Sequence, residues 1–235
     1  MALVKELSVF FPAYNEEANI KTTVLEAKKV LETIASRWEI IIVDDGSKDT
    51  TGKIADNLAL RIGEIRVIHH SPNRGYGGAL KSGFEAAQYE WVAFADSDGQ
   101  FDFSEIKKFI AKQKETGADL ILGIRSQRAD PLIRKIFTLV WSKILPRVLL
   151  GLKVTDYSCG FKLMKKSVFE AVQPLVGEEK VTQIELLTKA QRAGFKFAEV
   201  KVKHLPRKFG HQTGADLKVI IKSIKDLLVL WKQLR

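Results

Sequence analysis

Residues 91–103 read WVAFADSDGQFDF, a short apolar run that ends abruptly in acidic residues. The run Trp91–Ala95 has the length and composition of a buried β-strand. Asp96 and Asp98 follow at once, and Gly99 permits a tight turn after them. In an open α/β sheet, ligands bind outside the carboxyl ends of the strands, where this acidic pair would lie. The stretch therefore predicts a strand of such a sheet with a ligand site at its end.

The same acidic pair predicts a divalent cation. Two carboxylates one residue apart on a turn can share a hard cation, and Gln100 adds an amide oxygen nearby. Mg²⁺ or Mn²⁺ suits an oxygen site of this kind, with substrate phosphates completing the coordination shell. An isolated Asp-x-Asp usually does no more than cap the following helix, so this interpretation depends on the motifs upstream.

Predicted strands and helices alternate along most of the chain. Polar or glycine-rich residues follow four successive strands, which favours a nucleotide site at one edge of the sheet. The alternation is typical of an α/β fold with a mostly parallel sheet and helices on both faces. Strands are expected at 7–13, 39–43, 65–69, 91–95, 119–123 and 195–204, and helices at 15–37, up to 61, 79–88, 104–116 and 182–193.

Length and composition indicate one globular α/β domain. The chain has 235 residues, of which 46% are hydrophobic, and we place the domain at 1–214 and an amphipathic helix at 215–235. Cys159 is the single cysteine, which excludes an intramolecular disulfide and fits a reducing compartment. No signal-peptide pattern and no apolar run of ~20 residues is visible. We therefore expect a cytoplasmic protein that does not itself cross a membrane.

Charge is distributed unevenly along the chain. Residues 1–127 contain 16 Lys/Arg and 19 Asp/Glu, whereas residues 128–235 contain 22 and 9. The basic half predicts an anionic partner: nucleic acid, a membrane surface or phosphorylated substrates. In segment 131–152, cations interleave with apolar residues and Trp141, a pattern typical of a helix lying on a membrane. A helix packed on the core with a basic rim is the alternative.

Four ordered motifs closely resemble those of family 2 glycosyltransferases of the GT-A fold. They are FPAYNE at 11–16, DDGS at 44–47, NRG at 73–75 and DSDGQ at 96–100. Asp156, the run Gly160-Phe161-Lys162, Glu185 and the pattern Arg207-x-x-Gly210-x-x-Thr213 resemble the branch that transfers sugars to dolichyl and other polyprenyl phosphates. That branch often has arginine where Lys162 stands, which leaves acceptor-phosphate binding open. The resemblance extends from about Leu7 to the last helix.

The resemblance implies a role for each matching residue. Glu16 would contact the ribose and Asp44 the base, which is compatible with uracil or guanine. Mg²⁺ or Mn²⁺ on the donor diphosphate would be held by Asp96, Asp98 and Gln100. The nucleotide pocket would be lined by Pro12, Ala13, Tyr14, Asn15, Glu16, Asp44, Asp45, Gly75, Gly78, Asp96 and Ser97. The catalytic set would comprise Asp98, Asp156, Arg125, Arg134 and Arg207, the arginines surrounding the donor diphosphate and the acceptor phosphate.

The activity that the resemblance implies is inverting transfer of a hexose from a GDP- or UDP-sugar to a polyprenyl phosphate. The protein would bind peripherally at the cytoplasmic face of a membrane. A phosphate monoester is largely ionised at neutral pH, since its second pKa is about 6, so no strong general base is needed. Asp156 would then position the acceptor or repel wrong ligands.

Alternatives remain open at this level. A glycan hydroxyl as acceptor would require a base, for which Asp156 or the neighbourhood of Glu185 is the candidate. A basic nucleic-acid-binding protein or a scaffold is the non-enzymatic alternative. The basic residues flank an apolar helix and no nucleic-acid motif is present, so we expect no nucleic-acid partner. His69 and His70 are expected in a loop or at the surface, and Cys159 in the core.

Overall fold

The computed structural model describes residues 2–125, 145–177, 181–207, 209 and 226–234. In this part of the chain seven strands form a sheet that helices cover on both faces. The strands are β1 (Val4–Ala13), β2 (Ala35–Asp44), β3 (Ile65–His69), β4 (Trp91–Ala95), β5 (Leu120–Arg125), β6 (Phe161–Lys165) and β7 (Phe197–Val202). The helices are α1 (Ile20–Ile34), α2 (Thr51–Arg61), α3 (Gly75–Ala86), α4 (Ile106–Thr116), α5 (Leu145–Leu150), α6 (Lys166–Ala171), α7 (Val181–Arg192) and α8 (226–233), with a 3₁₀ turn at Phe103–Glu105.

The sheet has the strand order β3-β2-β1-β4-β6-β5-β7. All neighbouring strands run parallel except β6, which is antiparallel to both β4 and β5. β1 lies between β2 and β4, and its last seven residues are buried. All of these residues except Ser8 are apolar, as expected for a strand covered by helices on both faces. The α/β fold with a mostly parallel sheet is confirmed.

Alternating side chains of the strands separate two apolar cores. Val9 and Phe11 point to the core formed with α1, α2 and α4. Phe10 points to the opposite core, which α3, α5, α6, α7 and α8 complete. There its ring packs edge-on against Phe84 and stacks on Phe94, with centroids 4.9 and 5.3 Å apart. The two-residue period of a strand thus fixes the sheet between both helical layers.

Two helix boundaries differ from the sequence prediction. α1 begins at Ile20 and ends at Ile34, rather than spanning 15–37, because β2 already starts at Ala35, which pairs with Val4. α3 begins at Gly75, so the glycines expected in a loop form its first turn. Further along, Gly83 approaches the Phe10 ring so closely that a Cβ there would lie 2.3 Å from it.

Other predictions fall partly or wholly outside the described residues. In segment 131–152 only 145–152 is described, with a helix at Leu145–Leu150. Within the predicted helix 215–235, residues 226–233 are helical, and the domain boundary near 214 stays a prediction. None of the helices described is both long and apolar enough to span a bilayer.

Candidate active site

The carboxyl ends of β1, β2 and β4 bring three of the sequence motifs together. The backbone N–H of Asp45 donates to the carbonyl of Ala13 over 2.8 Å. The hydroxyl of Ser97, itself buried, donates to the carbonyl of Pro12 over 2.7 Å. Residues far apart in sequence therefore share one edge of the sheet, as the strand order requires.

The loop after β1 is held by the loop after β2. Asn15 has a φ of 55°, a left-handed conformation that asparagine tolerates better than most residues. Its N–H donates to the Ser47 hydroxyl over 3.0 Å, and its side-chain oxygen accepts from the Lys48 N–H over 2.8 Å. The N–H of Glu16 donates to the Thr51 hydroxyl. Tyr14 is 40% exposed at the edge of this loop.

Asp44 and Asp45, at the end of β2, are both buried and both paired with a histidine. Asp44 accepts from the Ser47 N–H and contacts Nδ1 of His69 at 2.9 Å. Asp45 contacts Nδ1 of His70 at 2.6 Å and accepts from the Arg74 N–H over 2.8 Å. His70 lies in the loop that follows β3, as one of the two expected locations, but not at the surface, because its ring is buried between Asp45 and the Ser82 hydroxyl.

The glycines of the NRG segment have local reasons for their identity. Gly75 has a φ of 75°, and its N–H donates to the Asn73 side chain over 2.9 Å. A Cβ at Gly78 would lie 2.5 Å from the Cβ of Arg74. Both positions therefore need glycine for the turn into α3, and approach of a nucleotide to them stays a prediction.

The second acidic pair, at the end of β4, has fewer partners. Asp96 accepts the Tyr76 hydroxyl at Oδ1 over 2.9 Å. Asp98 accepts the Gln100 N–H at Oδ1 over 3.0 Å and faces a guanidinium nitrogen of Arg207 at 3.5 Å. Burial, reinforced by the charge of Asp96, raises the pKa of Asp98 to about 7. Burial also raises the pKa of Tyr76 well above 10, so its hydroxyl stays protonated.

Arg207 links this pair to the loop after β1. Its guanidinium bonds to the Glu16 carboxylate as well as facing Asp98, and its side chain is 16% exposed. Gln100 fixes the same segment, because its side-chain Nε2 donates to the Leu205 carbonyl and its backbone carbonyl accepts the Leu205 N–H. Glu16, Asp98 and Arg207 therefore meet at one point of the edge.

The donor set of this edge fits a divalent cation only in part. In the portion of the chain that is described, no three His, Cys, Asp or Glu side chains are grouped to hold a metal. Asp96 and Asp98 supply carboxylate oxygens of the kind that Mg²⁺ and Mn²⁺ prefer, and Gln100 carries an amide oxygen. A cation here would therefore need further oxygens from a substrate, as a diphosphate provides.

Asp156 is paired with Arg125. The Arg125 guanidinium donates to both carboxylate oxygens, over 2.8 and 2.7 Å, and to the Ser158 hydroxyl over 2.6 Å. Burial opposes the charge of Arg125, but the bond to Asp156 outweighs it and raises the arginine pKa. A carboxylate bound in this bidentate way is poorly placed to remove a proton. Arg134 lies outside the described residues.

Glu185 and Lys162 are both buried away from the surface. The Glu185 carboxylate accepts the backbone N–H groups of Val176 and Gly177 and forms an ion pair with Lys189. The Lys162 ammonium donates to the Cys159 carbonyl and to the Gln183 amide, and burial lowers its pKa to about 8. Lys162 is 1% exposed, so its direct contacts are internal ones.

The sequence did not predict the contacts of three residues near the edge. Tyr76 and Gln183 belong to helices α3 and α7, and the Gln183 amide donates to the Tyr76 hydroxyl over 3.1 Å. His70 is the third. No local sequence pattern indicates that Tyr76 and Gln183 meet, because 107 residues separate them. For His70 the available signal was its position next to the end of a strand.

Comparisons with known proteins identify the family of the chain. Residues 8–173 match the model of glycosyl transferase family 2. The chain is 32% identical to the glycosyltransferase AglD of Haloferax volcanii, over 97% of this chain and 36% of that protein. It is 29% identical to the dolichyl-phosphate beta-glucosyltransferase of Saccharomyces cerevisiae, over 95% and 73%, and 32% identical to the dodecaprenyl-phosphate galacturonate synthase of Rhizobium johnstonii, over 74% and 51%.

A solved structure shares the fold. Glucosyl-3-phosphoglycerate synthase from Mycobacterium tuberculosis, in complex with UDP, superposes with a TM-score of 0.72 at 21% identity, over 97% of this chain and 80% of that one. The chain spans between about a third and three quarters of the length of the three curated relatives. From the family match over most of its length, this chain belongs to glycosyl transferase family 2.

Proposed function

We propose that the protein transfers a hexose from a nucleoside-diphosphate sugar to a polyprenyl phosphate, with inversion at the sugar carbon and with Mg²⁺ or Mn²⁺. The observation that carries this proposal is the similarity to two enzymes named for lipid-phosphate acceptors, which covers 95% and 74% of the chain. The acidic and cationic side chains at the carboxyl edge of the sheet supply the chemistry that such a transfer needs.

The donor nucleotide would lie across the ends of β1 and β2. Asp44 has a carboxylate buried at this edge and would accept from the base, and Glu16 would accept from the ribose hydroxyls. Pro12, Ala13, Tyr14 and Asn15 would line the pocket from the loop after β1, and Asp45, Gly75, Gly78 and Ser97 from its other sides. Asp45 and Ser97 already bond to neighbouring loops, so they would act by holding the pocket in shape.

Asp96, Asp98 and Gln100 would hold the cation. A bound Mg²⁺ or Mn²⁺ supplies Lewis-acid stabilisation of the negative charge that develops on the departing diphosphate. Arg207 lies beside Asp98 and Glu16, where its guanidinium would add charge stabilisation on the same leaving group. That metal and UDP occur together in structures of the mycobacterial synthase supports this assignment.

The acceptor is better matched to a phosphate than to a hydroxyl. A hydroxyl acceptor needs a base, and the two carboxylates considered for it are committed elsewhere: Asp156 to Arg125, and Glu185 to the 176–177 backbone and Lys189. A phosphate monoester is already ionised near neutral pH and attacks without proton removal. Arg125, fixed by Asp156, and Arg134 would then bind the acceptor phosphate.

Attachment to a membrane follows from the acceptor. A polyprenyl phosphate lies in a bilayer with its phosphate at the surface, so the site must approach that surface. The net charge of residues 128–235 and the interleaved cations of segment 131–152 favour an anionic lipid surface. We propose peripheral binding at the cytoplasmic face, where soluble nucleotide sugars meet the lipid.

A product assay tests the proposal. The purified protein is incubated with a polyprenyl phosphate in liposomes, Mn²⁺ or Mg²⁺ and a panel of UDP- and GDP-sugars, and the lipid phase is examined by mass spectrometry for a sugar-phosphate-lipid. We expect one donor to give product, and Asp98→Asn to reduce product formation by about 10²- to 10³-fold. Asp102→Asn is the matched control, because Asp102 only caps the 3₁₀ turn through the Ser104 N–H and asparagine can do the same.

Two results would contradict the proposal. Release of nucleoside diphosphate on adding glycans, with no lipid product, would move the acceptor to a hydroxyl. Absence of both products, with no binding of UDP or GDP, would exclude the transferase activity.

A further inference from the structure

We propose that Lys162, Gln183 and Tyr76 are positioning residues that hold the Asp96 carboxylate in place for the cation. This inference rests on the proposed function, because it assigns Asp96 to the metal. The three side chains and Asp96 form an unbroken series of hydrogen bonds, which we call the polar chain. It runs from β6 through α7 and α3 to the end of β4.

The contacts of the polar chain are consecutive. The Lys162 ammonium donates to Oε1 of Gln183. The Gln183 Nε2 donates to the Tyr76 hydroxyl over 3.1 Å, and that hydroxyl donates to Oδ1 of Asp96 over 2.9 Å. Lys162 and Gln183 are buried, 1% and 5% exposed, so water does not compete for the bond between them. A fixed donor is thus delivered to one oxygen of the carboxylate.

Elementary chemistry sets the direction of every bond in the chain. A protonated lysine can only donate, so the amide atom that faces it must be the oxygen of Gln183. The amide nitrogen then faces Tyr76 and can only donate, which occupies a lone pair of the hydroxyl oxygen. The hydroxyl hydrogen is left to point at Asp96. The ammonium of Lys162 therefore orients the Tyr76 hydroxyl through Gln183.

Lys162 also fixes the other side of Asp96. Its ammonium donates to the Cys159 carbonyl, one residue before Gly160. The Gly160 carbonyl accepts the Asp96 N–H over 3.0 Å, and a Cβ on Gly160 would lie 1.9 Å from Oδ2 of Asp96. The carboxylate is thereby confined between Tyr76 and the Gly160 backbone. Among the described residues no donor contacts Oδ2, which leaves that oxygen for a cation.

The cost of burying Lys162 argues that its charge has a use. A buried ammonium is strongly unfavourable unless it is well bonded. In the described part of the chain, Lys162 has no ion pair with a carboxylate, and its further stabilisation comes from the Phe94 ring, with 5.3 Å between the ammonium and the ring centroid. An apolar side chain would pack there at lower cost. Residues behind metal ligands typically change metal affinity 10- to 100-fold when they are replaced.

Gln183→Glu is the sharpest test, because it keeps the shape and reverses one bond. Both oxygens of the introduced carboxylate accept, so the variant still satisfies Lys162 but draws the Tyr76 hydroxyl hydrogen away from Asp96. Tyr76→Phe removes the same donor without adding charge. The matched controls are Gln113→Glu on α4, beyond the opposite face of the sheet, and Tyr89→Phe, outside the polar chain.

The measurement is Mn²⁺ affinity, followed by electron paramagnetic resonance in the presence of UDP and, separately, GDP. Gln183→Glu and Tyr76→Phe are expected to bind Mn²⁺ about 10- to 100-fold more weakly than the wild type. Their unfolding temperatures should stay within a few degrees of the wild-type value, and both controls should bind as the wild type does. Lys162→Met should weaken Mn²⁺ binding as well, and Lys162→Arg, which retains a donor, should restore part of it.

The outcomes separate this inference from the proposed function. Mn²⁺ binding within twofold of the wild type in both Gln183→Glu and Tyr76→Phe would overturn the polar chain and leave the transferase intact. A lower unfolding temperature with unchanged Mn²⁺ affinity in these variants would likewise show that the polar chain contributes to packing and not to metal binding. A wild-type protein that binds no Mn²⁺ with either nucleotide would overturn both.

Discussion

The protein carries two pairs of aspartates at the same edge of the sheet, and they are bonded very differently. Asp44 and Asp45, after β2, each contact a histidine and accept a backbone N–H. Asp96 and Asp98, after β4, receive a hydroxyl, one N–H and a distant guanidinium. The first pair thus receives four contacts of 3.1 Å or less, whereas the second receives three, one of them at 3.5 Å.

The comparison shows that two aspartate pairs with the same position relative to a strand can have different hydrogen-bonding environments. Both pairs follow an apolar strand and look alike in the sequence. Buried carboxylates that accept several short hydrogen bonds help to hold loops in place, and the β2 pair joins the loops after β2 and β3 while leaving Asp44 able to accept from the base. Burial, and then the neighbouring charge of Asp96, make the ionised form of Asp98 unfavourable, which is visible in its raised pKa. An unbalanced pair of this kind is typical of a site that awaits a ligand.

Replacing Asp96 by asparagine should have the largest effect. The amide keeps the shape but removes one negative charge from the proposed cation site. We expect the rate of sugar transfer to fall about 10²- to 10³-fold, the range seen for loss of one charge-stabilising group. The measurement is the initial rate of sugar-phosphate-lipid formation at saturating donor. Asp45→Asn, the same change in the β2 pair, is the comparison and should reduce the rate far less in protein that remains folded.

An equal loss of rate in both variants would contradict the distinction between the two pairs. It would mean that the β2 pair also contacts the reacting groups. A small loss of transfer rate in Asp96→Asn would instead show that Asp96 does not bind the cation.

The variant Gly160→Ala tests the Asp96–Asp98 pair without replacing an acidic residue. The added methyl group would lie 1.9 Å from Oδ2 of Asp96, so the carboxylate must move. A displacement of about 1 Å in a reactive site can reduce a rate about 100-fold. Lipid product formation is measured beside that of Gly63→Ala, where a Cβ would meet nothing within 4 Å. Wild-type rates in Gly160→Ala would show that the carboxylate needs no fixed position.

Strand β4 and the position of the acidic pair at its end could be predicted from the sequence. The run Trp91–Ala95 is strand β4, and its carboxyl end lies at the edge of the sheet. The alternation of strand and helix patterns also predicted the parallel strands and helices on both faces. These features are local, because the apolar run and the residues that end it are adjacent in the chain.

The remainder depends on contacts between distant segments. The antiparallel insertion of β6 between β4 and β5 is a matter of topology, and it brings Gly160 against Asp96. Tyr76 and Gln183 meet from two helices that are more than 100 residues apart. The sequence also could not distinguish Asp45 from Asp96, since the histidine that satisfies Asp45 looks like an ordinary strand-end residue.

The variant His70→Leu tests how much the contact between His70 and Asp45 contributes to stability. The change removes the buried ring that contacts Asp45 and Ser82, and Oδ1 of Asp45 then keeps, among the described residues, only the Arg74 N–H. We expect the free energy of unfolding to fall by about 1–3 kcal/mol, because two internal hydrogen bonds of about 0.5–1.5 kcal/mol each are lost. Denaturant unfolding measures it. An unchanged free energy would show that the contact between His70 and Asp45 contributes nothing to stability.

The smallest effect is expected at His69, the exposed partner of the β2 pair. Hydrogen bonds to Asp56 and then to Asp44 raise the pKa of His69 above its usual 6.5. The charged form is therefore favoured by folding, and its stabilisation is complete below pH 6.5 and lost as the pH rises through the raised value. Because the His69 side chain is 45% exposed, the contribution should stay within about 0.2–1 kcal/mol.

Denaturant unfolding of the wild type and of His69→Gln, at about pH 5.5 and about pH 8.5, isolates this contribution. The wild type should exceed the variant in stability at the lower pH and lose that margin at the higher one. A margin that is the same at both values would mean that the contact with Asp44 is made by the neutral ring. Asp44 would then keep its full negative charge unopposed at the edge of the sheet, and the β2 pair would resemble the β4 pair more closely than its hydrogen bonds indicate.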